Sequence, residues 1–386
     1  MAAKEYKHWF EYFPNNFVWS QQMMSMIDMA AWGAGAMGEI DQVGQRLKDR
    51  IGDNDAWFDE WTRMAEDMEQ KAQAAAAANH QLTAGTYYLH AGTYFLWSER
   101  FTPPGEKKYG NYRRCMQNYM EGYQRRFPTI ERVEVPYEGT TLPAYFFRSP
   151  LATGKAPTMV CFDGLDLCKE VSVLFGGIEL ANRGINMLAI DGPGQGEALR
   201  LRGIPSRHDY EVPGTAAYEF VAQRPDVDPK RVGVMAFSMG GYYAPRIAAF
   251  EKRYAAMVAW GAHFDYHAVW TARWAEMQAG GTKTTSAKFQ LPWVVGCPDM
   301  ETSMKKLENY RLAGVAEKIE CPTLIVHGEN DTIVPVKWAH ALYAACGAKK
   351  KDMKIFTPAD GGSEHCHGDN RVVGANYIAD WVMDNL

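Results

Sequence analysis

The chain has 386 residues, more than one average domain, and 47% of them are hydrophobic against 23% charged, which supplies ample material for a core. Lys plus Arg number 41 and Asp plus Glu 46, a net charge of −5, and no basic stripe interleaved with aromatics appears, so nucleic acid is not an expected partner. No stretch is long and apolar enough to span a bilayer, and the seven scattered cysteines form no CxxC pair, which argues against a membrane protein, a disulfide framework and a zinc ribbon.

The N-terminus, MAAKEYKHWFEYF, has no apolar core of a secretion signal. A soluble, cytoplasmic protein with reduced thiols is therefore expected. From about residue 15 to 126 the pattern is helical with almost no strand signal. Segment 36–50 alternates apolar and charged residues at helical spacing, segment 55–79 carries the Ala run 74–78, segment 83–99 is aromatic and apolar, and segment 109–125 is rich in Tyr and Arg. The Trp, Met, Phe and Tyr faces of this stretch must bury against something, whether core, lid or second subunit.

The character changes at Pro128. IERVEVPYEGTTLPAYFF alternates with period two around Glu138-Gly139-Thr140-Thr141, a hairpin signal. Short apolar runs then alternate with helical stretches at 158–162, 185–190, 232–237, 255–260, 323–327 and 353–356, the rhythm of βαβ units and a mainly parallel sheet. Between 261 and 316 that rhythm lapses into a segment rich in Trp, Met, His and Gly, read as an insertion over the carboxyl edge of the sheet. The expected organisation is a helical domain over 1–126 and an α/β core over 127–386 with a lid at about 261–316.

Ala236-Phe237-Ser238-Met239-Gly240-Gly241 follows one apolar run and precedes the helix-like YYAPRIAAF. This is the strand–turn–helix context of a nucleophile elbow, the hallmark of α/β-hydrolases. The serine should sit on a strained turn, and its neighbours two before and two after must be small; Ala236 and Gly240 are. The plainer reading is a serine in an ordinary turn. A serine hydroxyl needs a base, and the base an orienting acid, in the chain order Ser, acid, His. Asp331 lies just beyond the run 323–327 on the turn Gly328-Glu329-Asn330-Asp331, with Glu329 as the reserve acid. Asp331 could instead cap the helix starting near Pro335. Two histidines compete in the Gly-rich loop after 353–356, and His365 is preferred to His367. His365-Cys366-His367 is a poor metal set, so no metal and no cofactor are expected.

Oxyanion donors should come from the residue after the nucleophile, Met239, and from the turn after the run 158–162, where Leu165 leads and Gly164 follows. A plain β-turn is the alternative there. Asp191-Gly192-Pro193-Gly194-Gln195-Gly196 lacks dinucleotide spacing and any Lys-Ser/Thr step, and reads as a structural turn. Trp260, Phe264, Tyr266, Trp270, Trp274 and Met277 suit a flat hydrophobic or aromatic small-molecule substrate, or else ordinary core packing, and His263 joins Trp270 and Trp274 among the substrate-contact candidates.

With these residues in hand the chain resembles the α/β-hydrolases of the 2,6-dihydroxypseudooxynicotine hydrolase and fungal yellowish-green-pigment polyketide-shortening type. The matching pieces are ERVEVPYEGTTLPAYFF, FDGLD with Lys169-Glu170, DGPGQGE, FSMGG, HGENDTIVP and EHCHGDN, in that order behind a helical front. EHC favours His365 as base. The resemblance implies hydrolysis of a carbon–carbon bond beside a ketone in aromatic or polyketide-like diketones, a homodimer, and in some relatives an extra lid carboxylate, for which Glu276 and Asp265 are the available acids. An esterase, lactonase or amidase would use the same triad, and a non-catalytic binding module on this scaffold is a third reading.

Overall fold

The computed structural model describes residues 10–280 and 288–386. The chain separates into two units, one built from residues up to Arg126 together with the stretch beginning at Ala272, the other from Phe127–Thr271 and Lys288–Leu386.

The first unit is helical: Phe17–Asp28, Met37–Leu47, Asn54–Ala77, Gln81–Ser98 and Glu106–Arg126. Asn16 and Asp53 open two of these helices by accepting the Trp19 and Ala56 amides, each satisfying a donor that the first turn leaves without a partner. The aromatic faces meet one another inside the unit. Trp57 lies against Trp19, Trp61 and Phe101 at ring separations of 4.8, 5.6 and 5.2 Å, and Trp61 meets Tyr94 at 5.4 Å. Trp57 Nε1 donates to the Trp97 carbonyl, so this buried indole has its polar atom satisfied.

In the second unit the predicted hairpin forms as β1 (Ile130–Tyr137) and β2 (Thr140–Phe147), turning at Glu138-Gly139. The apolar runs become β3 (Ala156–Phe162), β4 (Asn186–Ile190), β5 (Val227–Phe237), β6 (Ala256–Trp260), β7 (Thr323–Gly328) and β8 (Lys351–Phe356). They make one eight-stranded sheet in the order β1-β2-β4-β3-β5-β6-β7-β8. β1 and β2 run antiparallel at one edge, and every pairing from β4 to β8 is parallel. β4, β6 and most of β3 are wholly buried, as strands covered by helices on both faces must be. In the described part of 261–316 there are the helices Tyr266–Gln278, Gln290–Val295 and Met300–Leu307, and a single bridge between Asp265 and Arg311. None of the described helices is long and apolar enough to cross a membrane.

Candidate active site

Ser238 directly follows Phe237, the last residue of β5, with φ at +55°, in the left-handed region that side-chain-bearing residues avoid. Its own amide donates to the Trp260 carbonyl at 2.8 Å, and Gly241 N–H donates back to the Ser238 carbonyl at 2.6 Å, so the strained residue is held from both sides. A Cβ on Gly240 would stand 2.5 Å from the Cβ of Ala236. Only small residues fit where strand and outgoing helix pass this closely, which is the physical content of the elbow pattern.

Asp331 sits three residues beyond the end of β7 and is buried. It does not cap the following helix, Lys337–Ala345, whose N-cap is Val336; its two oxygens serve a turn and an imidazole. Oδ1 accepts the Ile333 and Val334 amides at 2.9 and 2.7 Å, a turn-capping arrangement. Oδ2 lies 2.7 Å from His365 Nδ1. Burial alone would raise its pKa, but the His365 and His327 imidazoles and the Val334 amide outweigh burial and hold it at about 2. Glu329, the reserve acid, is exposed at the strand end, where its amide donates to Phe356.

His365 bridges the other two residues, its Nε2 lying 2.7 Å from Ser238 Oγ. An ionised Asp331 only accepts, so Nδ1 carries the hydrogen and Nε2 is free to accept from the serine hydroxyl. Burial works against the imidazolium, but the Asp331 carboxylate outweighs it and lifts the His365 pKa above the ordinary imidazole value. The loop that presents this ring is itself strained, with φ of +47° at Cys366 and +56° at His367.

His367 points elsewhere. It is wholly buried, its Nδ1 accepts from Trp260 Nε1 at 2.6 Å, and burial drives its pKa down to about 3, so it stays neutral and structural. Cys366 Sγ lies 3.7 Å from His365 Nε2 and 3.5 Å from the Trp260 carbonyl. Among the described residues no group of three or more His, Cys, Asp or Glu side chains could hold a metal ion.

The two segments expected to carry oxyanion donors both lie beside the serine. Met239 is the N-cap of the helix Gly240–Phe250, so its amide lies at a helix terminus where no intrahelical acceptor exists. The turn beyond β3 packs against the serine: a Cβ on Gly164 would lie 2.9 Å from Ser238 Cβ and 3.4 Å from its Oγ. Leu165 follows on the same turn.

The residues of the segment expected to form a lid divide. Asp265 is committed to structure, its Oδ1 accepting the Ala268 amide at 2.8 Å and its carboxylate pairing with Arg311 at 3.4 Å. Trp270 is buried and faces Tyr266 at 6.4 Å, while His263 is buried 4.9 Å from the same ring and donates its amide to Gly241. Trp260 is the last residue of β6, packed on Phe237 at 4.7 Å, and so belongs to the core rather than to a lid. Trp274 and Glu276 are half-buried and fall in the stretch that groups with the helical unit.

One participant escaped sequence reasoning. His327, the penultimate residue of β7, is buried behind Asp331: its Nε2 lies 2.7 Å from the Val334 carbonyl and 3.4 Å from Asp331 Oδ2. Its only signal was a histidine immediately before the glycine that ends the strand.

A serine on a strained turn after a central strand, beside an imidazole and a buried carboxylate from later strand ends, on a mostly parallel sheet, defines an α/β-hydrolase. The chain belongs to the FrsA-like esterases, whose family model, Esterase FrsA-like, matches residues 5–278, and equally to the prolyl oligopeptidase family, matched over residues 178–386. It is 27% identical to the 2,6-dihydropseudooxynicotine hydrolase of Paenarthrobacter nicotinovorans, over 93% of this chain and 92% of that protein. It is 25% identical to the 20-hydroxy-prefusarin hydrolase FUS2 of Gibberella moniliformis, over 88% and 90%. The crystal structure of the 2,6-dihydroxy-pseudo-oxynicotine hydrolase superposes with a TM-score of 0.79 at 25% identity, covering 93% of this chain and 95% of that one. The protein is a hydrolase of the α/β type, and the family resemblance read from its motifs holds.

Proposed function

We propose that Ser238, His365 and Asp331 form the catalytic triad and that the enzyme hydrolyses a carbon–carbon bond beside a ketone in an aromatic or polyketide-like diketone. The observation that carries the triad is the continuous chain from Asp331 Oδ2 through His365 to Ser238 Oγ, with both links at 2.7 Å. His365 Nε2 takes the serine proton as Oγ attacks the ketone carbon. The oxyanion that forms is stabilised by the Met239 amide and by the turn at Gly164 and Leu165. The bond to the neighbouring carbon then breaks, its electron pair leaving as an enolate or electron-rich ring that the imidazolium protonates. Water, deprotonated by His365, hydrolyses the remaining acyl ester and restores the serine. The names of the relatives, a pseudooxynicotine hydrolase and a prefusarin hydrolase, support the substrate class.

A second reading, an esterase, lactonase or amidase on a bulky hydrophobic substrate, is favoured by the names of the two matching families. Turnover on a panel of aryl β-diketones, aryl esters and lactones, followed by product masses, separates the two. Cleavage of a diketone into an acid and a ketone supports the first; hydrolysis of esters or lactones with every diketone recovered intact selects the second. The reduced thiols suit a cytoplasmic enzyme, and the homodimer that accompanies the family resemblance is tested by sedimentation.

A further inference from the structure

The segment Asp191–Glu197, read from sequence as a mere turn, is joined by hydrogen bonds to the turn that follows β3. Gln195 is wholly buried although its side chain is an amide. Its Oε1 accepts the Gly192 amide at 3.0 Å, and its Nε2 donates to the Asp163 carbonyl. The other end of the same turn is held too. Gly196 N–H donates to the Leu167 carbonyl at 2.8 Å, and Asp191 Oδ1 accepts the Lys169 amide at 2.7 Å. Lys169 Nζ, fully buried, meets Glu170, Asp191 and Glu197 at 2.8, 2.9 and 3.1 Å. Arg132 and Arg202 close the cluster on Glu197, each at 2.8 to 2.9 Å.

The consequence for the site follows from peptide geometry. The described backbone contains no cis bond, so the Asp163 carbonyl and the Gly164 amide point in opposite directions across one rigid plane. Fixing the carbonyl on Gln195 therefore fixes where the Gly164 amide points. Gly164 is also the residue that closes on Ser238, leaving no room there for a Cβ. Gln195 does not cap the helix it precedes; its side chain is spent on the two loops instead.

We propose that Gln195 is a positioning residue for the oxyanion hole, acting through the Asp163–Gly164 peptide while touching neither substrate nor Ser238. The inference rests on the triad reading above. Gln195→Met keeps the side-chain length and removes both bonds; Gln195→Glu keeps the acceptor for Gly192 and loses the donor to Asp163. Both variants are assayed on aryl acetate esters for kcat and KM, and with an aryl trifluoromethyl ketone, whose tetrahedral adduct needs the oxyanion donors.

The expected result is a kcat lowered on the order of 10- to 100-fold, somewhat less than deletion of a donor outright. KM should stay within about twofold, the ketone Ki should rise in parallel with the fall in kcat, and the acid limb of the pH profile should not move, because His365 and Asp331 are untouched. A purely structural role would lower the melting temperature and the amount of folded enzyme without changing kcat per active site, titrated by fluorophosphonate. If Gln195→Met does not fold, Gln195→Glu decides alone, since it sets a carboxylate oxygen against the Asp163 carbonyl while keeping the acceptor for Gly192. A folded variant with kcat and ketone Ki within twofold of wild type overturns the inference. Ser238→Ala serves as the control for the underlying reading: full turnover in that variant defeats the triad itself, whereas its loss alongside an active Gln195 variant defeats only the role of Gln195.

Discussion

The two sides of the serine are built on different principles. On one side, beyond β5, β7 and β8, a few side chains stand in single file on strained loops: Ser238, Cys366 and His367 all carry positive φ. The chain of side chains from Asp331 through His365 to Ser238 joins groups that can exchange a proton. On the other side, beyond β3 and β4, charge is dense and buried. Lys169, Glu170 and Asp191 are wholly enclosed, and their bonds run mainly to backbone and to one another. On the proposed mechanism the first side moves protons, while the second holds main chain in place. A buried ion cluster is a weak source of net stability, because desolvation offsets most of the attraction, but it tolerates the loss of a member badly. That suits a part whose task is to keep amides pointing one way.

The contrast is tested first by cutting the chain of three. Ser238→Ala should lower kcat by on the order of 10⁴–10⁶ with the fold intact, measured by turnover alongside thermal melting. A residual rate within tenfold of wild type removes the serine from the mechanism. Asp331→Asn should cost roughly 10³–10⁴ in kcat, because an amide no longer enforces the His365 tautomer. The pH profile of this variant sharpens the point. The base must be neutral, so a raised pKa places the acid limb of kcat/KM in wild type above the usual imidazole range, and activity rises as pH climbs through it. Without the carboxylate that lifts it, the limb should move to lower pH; an unmoved limb would detach Asp331 from the base.

Lys169→Met tests the other side. It leaves three carboxylates facing a buried space with one cation fewer, and should destabilise by roughly 3–5 kcal/mol, read as a lower denaturant midpoint. Loss of kcat without loss of stability would show that the cluster is not a buttress. The smallest effect is expected at His367. His367→Ala orphans the Trp260 N–H and should cost about 1–3 kcal/mol of stability while leaving kcat within tenfold. If instead it matched His365→Ala in the loss of turnover with both variants folded, the base would have to be reassigned.

The proton-moving side was far more legible in sequence than the buttress. An elbow needs small residues two before and two after a serine, and Ala236 and Gly240 stand in the chain as a local signature of a contact that the structure then makes. The strand runs were visible because buried parallel strands are continuous apolar stretches; β4 and β6 were read almost to the residue. The buttress joins Arg132, Lys169, Asp191, Gln195 and Glu197, which are dispersed over 66 positions and obey no periodicity, and Asp191–Glu197 shows only its glycines to a reader of the sequence. Trp260 was read both as strand and as lid, because composition cannot tell an aromatic facing a substrate from one facing Phe237. The aromatic faces of the front helices were expected to need an outside partner; the Trp19, Trp57, Trp61 and Tyr94 contacts show them meeting inside their own unit, a pairing across helices that no local pattern encodes.

Labelling the intact chain with a fluorophosphonate and locating the adduct by peptide mass spectrometry tests the central claim most directly. A single phosphonyl group on Ser238, absent from Ser238→Ala and strongly slowed in His365→Ala, is the predicted result. An adduct on another residue, or none on an enzyme that turns over its substrate at full rate, would contradict the assignment of Ser238 as nucleophile.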